Sequence, residues 1–234
     1  TDAKPTTGDD VADRYFPDID ARPMQTIPGQ GQSESWQLMP DYDWRPLVDG
    51  TAVAYVSPKL DADTAMVGTG SVDLWIKANT KDTDLQVTLT EVRADGEETY
   101  VQNGWLRASH RKLDPKRSTP LNPWPTHLEQ DAADLPAGRF TQARVAIFPV
   151  AHVFRKGSRI RISVEAPGGD RTRWSFESAA PPPDAQVWVG RSATHPSSIL
   201  LPLITDVDPP ATTPACPGLR GQPCRPYQRT LNGG

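Results

Sequence analysis

The sequence predicts an all-β fold, a jelly-roll β-sandwich, on three observations: apolar and polar residues alternate with a period of two, turn residues separate those runs, and helical periodicity is scarce. In chain order the first strand is expected over Ala52–Val56. Val72, Leu74 and Ile76 then alternate with Ser71, Asp73 and Trp75, and Leu85, Val87 and Leu89 with Gln86, Thr88 and Thr90. Tyr100–Leu106 and Arg144–Phe148 follow, and Ile160, Ile162 and Val164 alternate with Arg159, Arg161 and Ser163. Trp174–Phe176, Gln186–Val189 and Ile199–Ile204 complete the set. One apolar face and one polar face per run is the signature of half-buried antiparallel strands. The connectors agree: Asp95-Gly96 sits between two alternating runs as a hairpin signal, Lys156-Gly157-Ser158 precedes another strand, and Ala166-Pro167-Gly168-Gly169-Asp170 ends it.

The ends read differently. Residues 1–35 are polar, acidic and punctuated by Gly and Pro, as expected of an extended N-terminal arm or linker; 36–205 hold the sandwich, and 206–234 form a Pro-rich C-terminal tail. Proline makes up 25 of 234 residues, about twice the usual share. Each proline lacks a backbone donor and has a fixed φ, which keeps long helices and central strands out of these stretches. A formal charge of −4 without a lysine/arginine block argues against nucleic-acid partners, and no apolar run is long enough to span a membrane. The start at Thr1 has neither an initiator methionine nor a signal peptide, and reads as the start of a fragment, a processed chain or an excised domain. The two cysteines, Cys216 and Cys224, enclose Pro and Gly residues that favour a tight reversing loop, so a disulfide is expected rather than two free thiols. A disulfide points to an oxidising compartment and to a secreted, extracellular protein.

The search for chemistry finds no catalytic set. A nucleophile elbow needs Gly-x-Ser-x-Gly at a strand-to-helix turn, and no serine has glycine at both positions; Gly31-Gln32-Ser33 lacks the second. His152, among apolar neighbours, reads as a packed, hydrogen-bonded histidine, and His195, before Pro196, as a turn residue. His110 lies in the charged stretch Arg107-Ala108-Ser109-His110-Arg111-Lys112-Leu113-Asp114, which suits either a solvated loop or one that grips a neighbouring domain. Asp73, Asp82 and Asp84 could meet at one end of a sandwich around calcium, but their spacing matches no EF-hand loop, and no metal site and no cofactor is expected. Trp75, Trp105, Trp174 and Trp188 fall on predicted strands, where packing is the default. Trp36, Trp44 and Trp124 fall in loops, where exposed aromatics mark protein contacts or sugar stacking.

Several segments taken in order resemble the C-terminal domain of the cocaine-esterase / X-prolyl dipeptidyl-peptidase (CocE/NonD) family of serine hydrolases. They are Gly70–Trp75, Asp82–Val87, Gly104–Asp114, Phe148–Arg155, Gly157–Arg161, Ala166–Asp170, His195-Pro196-Ser197 and Leu201-Pro202. The resemblance implies a jelly roll similar to galactose-binding folds, packed on an α/β-hydrolase catalytic domain, in the same precursor or as a separate chain. That domain carries the nucleophile, acid and base of ester, amide or X-Pro dipeptide hydrolysis. It implies no catalytic residue here, and a short Cys-containing tail is also found in secreted relatives. Arg107, His110, Arg111, Lys112, Asp114, Trp124 and His127 are the expected interface with the catalytic domain, so charge reversal at Arg111 should weaken the pairing. Two other readings compete: a stand-alone carbohydrate-binding module, recognisable by a row of exposed aromatics on one sheet face, and a structural envelope protein.

Overall fold

The computed structural model describes residues 11–18, 44–167, 179–205, 207–218 and 222–232. Among them the regular structure is eleven strands in two antiparallel sheets, with short 3-10 turns and no α-helix. The strands are β1 (Ala12–Tyr15), β2 (Ala52–Val56), β3 (Thr64–Ala78), β4 (Asp84–Val92), β5 (Glu97–Arg107), β6 (Thr141–Phe154), β7 (Arg159–Glu165), β8 (Val187–Gly190), β9 (Ser198–Leu200), β10 (Leu203–Thr205) and β11 (Cys224–Pro226).

The first sheet is built on β3. Along one side it pairs with β6 throughout; along the other it takes β10, β9 and β8 in turn, and β1 extends the sheet beyond β8. The second sheet runs β11-β5-β4-β7-β2. Alternation supplies the core between them: Val72, Leu74 and Ile76 of β3 and Val145 and Ile147 of β6 meet Leu85, Val87 and Leu89 of β4 and Val164 of β7. The sheets converge where β5 crosses β6, and Gly104 makes that crossing possible. A Cβ there would lie 1.8 Å from the Ala146 carbonyl oxygen. The hairpin expected at Asp95-Gly96 joins β4 to β5, with Gly96 at φ +91°.

Four sequence expectations change in detail. Ile199–Ile204 is not one strand: Pro202 cannot donate to a ladder, so the run splits into β9 and β10 around Leu201-Pro202. Those two strands pair on either side of an irregularity in β3 between Gly68 and Gly70, where the Leu201 side chain and the Leu200 carbonyl press so closely that a Cβ on Gly70 would collide. The arm contributes a strand, β1, with Tyr15 fully buried, and the tail contributes β11, hydrogen-bonded to β5. Trp44, read as a loop aromatic without cover, is buried: the Arg225 guanidinium stacks 3.7 Å above its ring and Tyr100 meets it edge-on. Trp36 and Trp174–Phe176 lie outside the described residues.

Candidate functional site

Of the seven residues expected at an interface, Arg107 ends β5 and the other six lie in the connection between β5 and β6, where His110 faces His127 and the strand segments of Lys112 and Asp114 meet that of Trp124. Arg107, the last residue of β5, clamps Asp84 at the start of β4 with two bonds of 2.7 and 3.0 Å, and Asp84 also accepts from the Ala179 amide. A 3-10 turn, Ala108–His110, follows, held by the Asp82 carboxylate that accepts from the amides of Ser109 and Thr83. Arg111 donates to the carbonyls of Ala108, Ala133 and Asp134, tying the start of the loop to its end. Lys112 pairs with Asp131, whose carboxyl this hydrogen bond holds below its usual value. Asp114 caps the next turn through the amides of Lys116 and Arg117. Residues 112–114 then ladder with 124–126 through Asp114 N to Trp124 O and Thr126 N to Lys112 O.

Arg107, Arg111, Lys112 and Asp114 are thus engaged within the chain, and the loop offers outward both exposed cations, Lys112, Lys116 and Arg117, and apolar surface. Trp124 and Leu128 are exposed, although the Arg117 guanidinium lies 3.8 Å over the Trp124 ring. His127 has φ +52°, a left-handed conformation uncommon for a residue with a side chain, and its ring faces that of His110 at 6.2 Å. The loop crest folds back on the first sheet, where the Pro120 carbonyl accepts from Ser71 and Arg144.

The remaining candidates are engaged by protein. Asp73 pairs with Arg144 at 2.7 Å. His152 bonds Glu91 at 2.9 Å through Nε2 while Nδ1 faces the Gln222 amide, so the second nitrogen of this acid–histidine pair is directed at an amide and not at a serine hydroxyl. Burial alone would raise the Glu91 carboxyl, but hydrogen bonds from His152 and the Arg155 amide hold it below its ordinary value. Ser192, near His195, is buried and closes a turn by accepting from the His195 amide. On the outer face of β3 and β8, His195 stacks on Phe140 and meets Trp75 edge-on, while Lys77 lies over Phe140 and Trp188. All four rings are half-buried, three in contact with one another and Trp188 joined to them through Lys77. The sulfurs of Cys216 and Cys224 form the expected disulfide, with Cα atoms 5.4 Å apart. Glu97 lies close by, but bonded sulfurs are not thiolate ligands.

One cluster was missed by sequence reasoning. The outer face of the second sheet carries a buried ionic group in which Glu98 bridges Arg161 and Arg225, all three almost without solvent contact. Beside it Gln86 and Thr88 bond the Glu165 carboxylate, and the Trp105 indole donates to Gln86. Burial would raise the Glu98 carboxyl, but Arg225 and Arg161 more than offset it and hold it low. The tail completes the cover: Thr230 meets Arg161, the Tyr227 ring lies under its guanidinium, and Asn232 bonds the backbone of Ala54 on β2.

The comparisons with known proteins fit a scaffold with its polar groups turned inward. A cocaine esterase of Rhodococcus is 27% identical over 210 residues, spanning 85% of this chain and 33% of the relative. Proteins of Mycobacterium bovis and Mycobacterium tuberculosis that carry the name serine esterase are 29% identical over 204 residues, 84% of this chain and 31% of theirs. The chain therefore spans about a third of the length of the curated relatives it matches. Among solved structures, a CocE/NonD family hydrolase of Staphylococcus aureus superposes with a TM-score of 0.59 at 22% identity over 66% of this chain and 30% of that one. An aminopeptidase from a marine-sediment archaeon gives 0.60 at 19% identity over 86% and 34%. The X-Pro dipeptidyl-peptidase C-terminal non-catalytic domain matches residues 22–187, and the chain belongs to that family.

Proposed function

We propose that this chain is the accessory β-sandwich of a secreted α/β-hydrolase-type serine hydrolase, one that cleaves esters, amides or X-Pro dipeptides. It packs on the catalytic domain and helps to wall the active site, and contributes no catalytic residue. The observation that carries this reading is the match of residues 22–187 to a domain described as non-catalytic. The geometry of His152 agrees with it: the ring bound to Glu91 faces a glutamine amide on its other side. The disulfide supports an oxidising compartment.

The test is purification of the native assembly through this chain, followed by labelling with a fluorophosphonate probe for reactive serines. A labelled companion domain or polypeptide with ester or amide hydrolase activity, and no label on residues 1–234, is the expected result. A lone chain of 25.6 kDa without activity would overturn the reading, as would label on this chain itself.

A further inference from the structure

We infer that the catalytic domain docks on the apolar face formed by β10, the adjoining end of β3 and the second half of β6, and not on the charged loop between β5 and β6; this rests on the accessory-domain reading above. Register places the residues. Ala65 lies opposite both Ile204 of β10 and Val153 of β6, and two positions on, Val67 lies opposite Ala151, so these side chains share the outer surface of the first sheet. Val67 is 57% exposed and Ile204 55%, and Leu203 and Leu200 are exposed along the same edge.

Two features set this face apart. β9 and β10 are exposed at every position, and although their shortness and Pro202 limit strand pairing along this edge, no charged side chain lies in Ser198–Leu200 or Leu203–Thr205 to keep an apolar partner away. Such an apolar edge is a surface that another polypeptide covers, and stable interfaces are apolar at their centre with charges depleted. In the loop between β5 and β6, by contrast, Arg107, Arg111, Lys112 and Asp114 are already satisfied within the chain. Docking there would desolvate charges that already have their partners in the chain, without offering them a better one.

The occupant follows from length. The relatives extend over about three times the stretch that this chain matches, and a domain that is C-terminal and non-catalytic in its family has that remaining protein as its standing neighbour. Leu201 against Gly70 and Pro202 against Gly68 seat the turn between β9 and β10 on β3, so the face is formed within the chain itself.

Cysteines placed one at a time read the face directly, because both natural cysteines are bonded to each other. Val67→Cys, Ile204→Cys and, as a control on the tail, Leu231→Cys are reacted with a maleimide in the isolated chain and in the assembly recovered with its serine-reactive companion. The first two are expected to label about tenfold or more slowly in the assembly than in the isolated chain, with Leu231→Cys unchanged. Ile204→Lys should also lower recovery of the companion, and Leu231→Lys should not. An assembly that forms while Val67→Cys and Ile204→Cys label at the isolated rate overturns the docking face and leaves the accessory-domain reading intact. Protection already present in the isolated chain would assign the face to a second copy, and overturns the inference as well. Absence of any serine-reactive companion overturns the reading on which it rests.

Discussion

Glu98 is the residue whose loss should cost most. It is fully buried between Arg161 and Arg225, so Glu98→Ala leaves two guanidinium groups in a dry site without a counter-charge, an expected loss of about 3–5 kcal/mol in urea denaturation at neutral pH. Its carboxyl is held low in the folded chain, while in the unfolded chain it titrates near about 4.3. The unfolded state therefore binds the proton first, and the stabilisation is present above that value and is lost as pH falls through the lower, folded one. Glu91 acts in the same direction through His152 and the Arg155 amide. The denaturation midpoint should accordingly fall on the acid side, and Glu98→Gln, which cannot ionise, should show a shallower fall; an identical acid limb in the variant would remove Glu98 from this account. Arg111, only half-buried, fastens its loop through three carbonyls rather than through a buried charge. Arg111→Ala should cost about 1–2 kcal/mol by freeing the carbonyls of Ala108, Ala133 and Asp134, so charge reversal there reports loop integrity before it reports docking.

Among the elements, the crossing of β5 and β6 leaves the least room. Gly104→Ala places a methyl group inside the Ala146 carbonyl, backbone against backbone, so the strands must separate; a loss of about 3 kcal/mol or more is expected, read as a lowered thermal midpoint. A variant as stable as the parent would show that the sandwich edge is open there. The same glycine opens the motif Gly104-Trp105-Leu106-Arg107, so part of the family resemblance in this chain has a packing cause. β4, β7 and the 71–76 stretch of β3, which alternate cleanly, were legible because a two-residue period has one structural meaning when hydrophobic residues hold one face. β1 and β11 were not, because Ala12–Tyr15 and Cys224–Pro226 are too short to show a period and take their structure from β8 and β5. The second sheet was legible only on its inner face. Gln86, Thr88 and Thr90 read as solvent-facing and are instead buried, and the available signal was that they are uncharged where an open face would carry lysine or glutamate. Of the candidate site, the loop was found by its charges, and four of them, Arg107, Arg111, Lys112 and Asp114, also fasten the loop within the chain. The apolar edge at β10 was written in Leu203 and Ile204, but apolar residues on a strand read as core until pairing shows which face they occupy.

For the molecule as a whole, the two chain ends are fastened into different sheets: β1 beside β8 in the first, β11 beside β5 in the second. Both pairings join residues far apart in sequence, so their loop-closure cost falls late and each end acts as a closing element. The tail carries more than a ring closure. The disulfide is worth roughly 2–3 kcal/mol by the loop-entropy relation, and Cys216→Ser should lose about that much. Deleting 212–234 removes in addition β11, the Arg225 contact with Glu98 and Trp44, the Tyr100 amide's bond to the Pro223 carbonyl and the Asn232 bonds to Ala54. The truncated chain should therefore be less stable than Cys216→Ser, and hydrogen exchange should quicken first at Ala54 and along β5, while the amides joining β3 to β6 keep their rank among the slowest. If the tail were only a linker, truncation would match the cysteine variant in both midpoint and exchange. A difference between the two, confined at first to the second sheet, would show that residues reading as a proline-rich tail complete a sheet whose outer face is ionic and dry.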